Sequence, residues 1–122
     1  MTPDWTDDQP IYRQLKDKVV TAIMEGALAE GEALPSVRNV AMDLQINPFT
    51  ASKAYQELVM EGFVEKRRGL GMFVMDGARR KILDTERSRF MEKEWPRVLK
   101  TIQRLGFSAD ELLKNSLKQE GS

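Results

Sequence analysis

Residues 35–62 read PSVRNVAMDLQINPFTASKAYQELVMEG, and two short helices with a tight turn between them account for this stretch. Ser36 has the short side-chain acceptor that caps a helix start. Val37, Val40, Ala41 and Leu44 then recur at helical spacing. Asn39 stands where a capping box would want Glu, so the cap is a simple one. Gln45 and Ile46 break the pattern. Asn47 offers a second cap, with Pro48 in the first turn, where its missing N–H costs nothing. Ala51, Ala54, Tyr55 and Leu58 share the next apolar face, and Gly62 closes it. Two such helices joined by about four residues have helix-turn-helix spacing.

The period changes immediately afterwards. Phe63 to Arg67 and Leu70 to Met75 read as strands, with Arg68, Gly69 and Gly71 supplying a tight hairpin between them. A hairpin directly after the second helix is a wing. Upstream, Pro10 opens a helix carrying Ile11, Leu15, Val19, Ala22 and Ile23 on one side, and Gly26 ends it. The expectation is an α+β fold: a winged helix-turn-helix of three helices and a two-stranded wing over residues 1–76, then an all-helical tail over residues 77–122.

In that tail Leu83, Phe90, Val98, Leu99, Ile102 and Leu105 fit one apolar stripe, with Trp95 near it. Pro96 is expected to kink this helix or split it in two. Gly106 stops it, and Ser108 with Glu111 forms a capping box for a last short helix carrying Leu112, Leu113 and Leu117. So long a stripe is more than a lone helix leaves in water. It is buried either against a second copy of the chain or by folding back on the winged helix.

Composition narrows the chemistry. The 122 residues include no Cys and no His, which removes disulfides, thiol chemistry, the commonest general acid/base and the commonest zinc ligand. Neither a cofactor nor a metal is expected, and catalysis has no candidate nucleophile motif. No apolar run approaches the ~20 residues of a membrane span. The acidic start, Met1 to Gln9, has no apolar core and does not read as a signal peptide, so a cytoplasmic protein is expected. Lys+Arg and Asp+Glu both number 19. The acids, however, gather at the start, while Lys66-Arg67-Arg68 lies at the wing, and local charge decides where an anion docks.

Several segments together resemble the GntR family of bacterial regulators, in its short YtrA subfamily. They are Pro10 to Leu15, Gly31 to Arg38, Asn47 to Thr50, Ala54 to Leu58 with Glu61-Gly62-Phe63, and Arg67 to Val74. Leu105-Gly106-Phe107-Ser108 in the tail is similar too, and Phe49 departs from the polar residue often found at that point in the subfamily. The resemblance implies a homodimeric transcriptional regulator, in which the arginine matching Arg38 contacts DNA.

The residues themselves suggest how. The second helix of the pair suits the major groove, where each base pair shows a distinct edge. Ser36 and Arg38 open the helix beside it. Asn47, Phe49, Thr50, Ser52 and Lys53 occupy the first turn and outer face of the reading helix. Thr50 or Ser52 would bond a base edge or a phosphate, and Phe49 would touch a thymine methyl or turn into the core. Asn47 serves as a cap, a contact or both; Lys53 reaches a phosphate or stays solvated. Arg67, Arg68 and Gly69 form the wing tip, for a minor groove or a phosphate, although Arg67 alternates with Glu65 and a pair between them is open. Leu83, Phe90, Trp95, Val98, Leu99, Ile102 and Leu105 are the candidate dimer contacts. The expected function is a repressor on an inverted-repeat operator; the alternative is a winged-helix module that binds protein. No residue cluster identifies a small-molecule effector.

Overall fold

In a computed structural model, residues 5–120 are described, with side chains up to residue 118; the first four residues of the acidic start lie outside them. The chain runs α1 (Ile11–Glu25), α2 (Val37–Leu44), α3 (Pro48–Met60), β1 (Val64–Arg67), β2 (Gly71–Val74), α4 (Ala78–Arg89), a π-helical turn (Phe90–Glu94), α5 (Trp95–Leu105) and α6 (Ala109–Glu120). It divides into two compact units after Leu83.

The first unit is built on α3. Ala51, Ala54 and Leu58 are fully buried and Tyr55 nearly so. The alanines let α1 and α2 approach closely, because a helix face without long side chains admits a neighbouring backbone. Leu15 and Ala41 close around Ala51 and Ala54 on one side. On the other, Ile23, Leu34, Phe63, Val64 and Val74 gather about Tyr55 and Leu58. From α1 the core takes Leu15, Val20 and Ile23, while Ile11 stays exposed.

The strands pair antiparallel in the register Val64↔Val74, Glu65↔Phe73, Lys66↔Met72, Arg67↔Gly71. Gly69 and Gly71 turn the tip with φ of 77° and 111°, values that side chains with a Cβ rarely adopt. The segment before α2 runs along the outer edge of β2. Leu34 N–H donates to Met72 O (2.8 Å), Val74 N–H to Glu32 O (2.9 Å) and Gly31 N–H to Val74 O (2.8 Å). β2 is therefore tied on both edges. The start of α4 also belongs here, since Ala78 and Ile82 are buried in the same core.

In the second unit, no residue from Asp84 to Lys118 is buried. The interruption expected at Pro96 takes the form of the π turn. Proline has no N–H to donate, and its ring crowds the carbonyl four residues back. A wider turn just before it relieves that crowding. Trp95 N–H bonds Phe90 O, five residues back, and α5 resumes with Pro96 in its first turn.

Candidate nucleic-acid interface

The starts of α2 and α3 are both capped as the sequence suggests. Ser36 Oγ accepts from Asn39 N–H at 3.0 Å, and Asn47 Oδ1 accepts from Phe49 N–H at 2.8 Å. The Tyr55 hydroxyl donates to Pro35 O at 2.8 Å, which locks α3 to the loop that launches α2. Burial of that phenol pushes its pKa up to about 12. Gln45 makes the turn between the helices in the left-handed region, with φ of 54°.

With 100° between successive helical residues, Phe49, Lys53, Gln56 and Met60 form a ridge opposite the core-facing side of α3. Phe49 and Met60 are each 84% exposed, so Phe49 is not a core residue. Lys53 lies on the ridge with its ammonium 4.1 Å from the centre of the Tyr12 ring of α1. Such a contact steers a cation without neutralising it. Thr50 and Ser52 are half-buried on the flanks, and Ser52 Oγ accepts from Gln56 Nε2 at 3.4 Å. Arg38, in the first turn of α2, is exposed.

At the wing the two arginines differ. The Arg67 guanidinium bonds the Glu65 carboxylate at 2.9 Å and lies 4.3 Å from the centre of the Phe73 ring. Its charge is answered within the hairpin. Arg68, beside Gly69 at the apex, is exposed.

Between α3 and the wing lies an open cleft of about 800 Å³, lined among others by Ser36, Ser52, Gln56, Lys66, Leu70 and Met72. The basic run put Lys66 at the wing, but neither Lys66 nor Leu70 was expected in a cleft beside α3. The alternation of the hairpin was the available signal, since Lys66 pairs directly with Met72.

In the tail, Trp95, Leu99 and Ile102 are half-exposed, while Phe90, Val98 and Leu105 stand 44%, 45% and 63% open. The Phe90 and Trp95 rings stack across the π turn, centroids 6.4 Å apart. Leu83 is half-buried and falls in the first unit. Phe107, Leu113 and Leu117 are exposed as well, and sequence reasoning did not include them among the candidate contacts. Among the described residues no helix is long and apolar enough to cross a membrane.

A helix-turn-helix followed by a two-stranded wing, with capped helix starts and an exposed arginine at the wing apex, defines a winged-helix DNA-binding protein. The family described as bacterial regulatory proteins, gntR family, matches residues 11–74. The chain is 31% identical over 114 residues to YhcF of Bacillus subtilis, an uncharacterized HTH-type transcriptional regulator, covering 93% of each chain. It is 34% identical over 84 residues to the HTH-type transcriptional repressor YtrA of the same organism, covering 69% of this chain and 65% of YtrA. A GntR family transcriptional regulator from Listeria monocytogenes superposes with a TM-score of 0.78 at 25% identity, covering 93% of this chain and 98% of that one. The chain belongs to the GntR family, in its YtrA-like branch, and is a DNA-binding transcriptional regulator.

Proposed function

We propose that the protein is a homodimeric repressor acting in the cytoplasm on an inverted-repeat operator. The observation that carries this reading is the outward ridge of α3, which no part of the winged helix covers and which begins at a capped helix end. The dipole of such an end favours a negative charge such as a phosphate. With α3 in the major groove, Asn47, Phe49, Thr50, Ser52 and Lys53 meet base edges and the flanking backbone. Ser36 and Arg38 meet the backbone beside the groove. Arg68 at the wing apex takes a neighbouring phosphate or the minor groove, and Arg67, held by Glu65, shapes the hairpin that presents it. Gly69 lets the apex approach.

A single winged helix reads few base pairs, and two copies on one site multiply both affinity and specificity. The open stripe of Phe90, Trp95, Val98, Leu99, Ile102 and Leu105, with Leu83 at its start, supports the tail as the dimer contact. A two-fold dimer reads an inverted repeat.

The direct test is a binding titration on the DNA upstream of the protein's own gene at several salt concentrations. Sequence-preferring binding that weakens steeply with salt is expected. Equal binding to scrambled DNA, or a flat salt response, would overturn the proposal.

A further inference from the structure

Phe49 is the large apolar side chain at the leading end of α3, and 84% of it is open. Its direction is set locally. Pro48 fixes the backbone before it, and the Asn47 side chain holds the Phe49 N–H itself. The residues of α3 that build the core, Ala51, Ala54, Tyr55 and Leu58, point about 170° away from it around the helix. The ring therefore contributes nothing to the core. Lys53, one turn further along the same ridge, is drawn back over Tyr12 and leaves the ring at the front of the helix.

A phenyl ring has neither a hydrogen-bond donor nor a conventional acceptor. In the major groove, guanine, cytosine and adenine offer polar edge groups, and thymine alone adds an apolar one, its C5 methyl. A benzyl side chain delivered there by a helix start has one favourable base contact open to it.

We propose that Phe49 is a specificity-determining residue that packs against the 5-methyl group of a pyrimidine in each half-site. This rests on the reading of α3 as the DNA-reading helix. At that position the protein distinguishes bases by a methyl group rather than by a hydrogen-bond pattern. Thymine and 5-methylcytosine are both accepted there, and deoxyuridine and unmethylated cytosine are both weaker. Cytosine methylation at that one position then strengthens binding.

The test uses the full-length protein and a duplex it enriches from random-sequence DNA. Each thymine is replaced in turn by deoxyuridine, which keeps every base-pairing group and lacks only the methyl, and affinity is read by fluorescence anisotropy. One thymine in each half-site is expected to cost about fourfold, the value of one buried methyl-sized group. Phe49→Ala binds the thymine and deoxyuridine duplexes equally, and Phe49→Leu keeps part of the discrimination. A 5-methylcytosine·guanine pair at that position binds about fourfold tighter than cytosine·guanine.

A scan in which no methyl matters to the wild-type protein overturns the proposal, as does a loss of the same size in Phe49→Ala. Ring insertion between base pairs, seen as a kinked duplex with no methyl dependence, overturns it too. In those outcomes a duplex is still enriched and binding still falls with salt, so the operator reading stands. If no duplex is enriched, both fall together.

Discussion

The two units solve the problem of apolar surface in opposite ways. Between Leu15 and Ile82 the first unit buries residues from every one of its helices and from the base of its hairpin. From Asp84 to Lys118 the second buries none, although α5 carries Trp95, Val98, Leu99, Ile102 and Leu105 along one side. Burial is worth roughly 25 cal/mol per Å² of apolar surface. A stripe of that size held in water forgoes a stabilisation that a second copy would restore. The first unit is thus expected to be stable by its own contacts, and the second by association.

The largest expected effect comes from cutting into the self-contained core. Leu58 is fully buried, and Leu58→Ala should cost about 3 kcal/mol of unfolding free energy. Urea titration followed by circular dichroism should give that loss at every protein concentration, because no association is involved. A concentration-dependent loss would erase the distinction between the units.

The tail should behave the other way. Ile102→Glu places a charge in the open stripe and should raise the dimer dissociation constant on the order of a hundredfold. Sedimentation measures that shift, while the melting of the winged helix should stay where it was. If the variant remains dimeric, another surface joins the subunits.

A smaller effect tests how the reading helix is held. Tyr55→Phe removes the bond to Pro35 O and should cost about 1 kcal/mol. It also bears on alkaline stability. The phenol's pKa rises from 10.0 to about 12 on folding because burial disfavours the charged form. Its contribution is complete below pH 10 and is lost as the unfolded chain ionises between pH 10 and about 12. Denaturation across that window should show a decline in the wild-type protein that is shallower in Tyr55→Phe.

The smallest expected change is a gain. Gln45 occupies the left-handed region, which glycine enters without steric cost. Gln45→Gly should add about 0.5 kcal/mol after the greater freedom of glycine in the unfolded chain is counted. A loss would mean that the Gln45 side chain contributes contacts that offset the steric cost.

What could be read in advance followed from local rules. Ser36, Asn47 and Pro48 signal helix starts by their own chemistry, the spacing of Ala51, Ala54, Tyr55 and Leu58 marks a core face, and glycine betrays the hairpin tip. What could not be read depends on residues far apart in the chain. Lys53 meets Tyr12, and the segment before α2 joins the edge of the wing. The core takes Val20 fully and Val19 in part, where periodicity pointed to Val19 alone, because the position of α3 against α1 selects the buried face. Pro96 announced a disturbance but not its form. The Arg67–Glu65 pair was one of two open readings, and the Phe73 ring beneath it has no local signature.

The face formed by the starts of α2 and α3 and the wing apex is the centre of the account, and salt dependence interrogates it most directly. Each phosphate neutralised contributes about 0.9 to the slope of log affinity against log salt. Arg38→Ala in a dimer should flatten the slope on the enriched duplex by about 1.8 while the protein remains dimeric. An unchanged slope and affinity would contradict the assignment of this face to DNA.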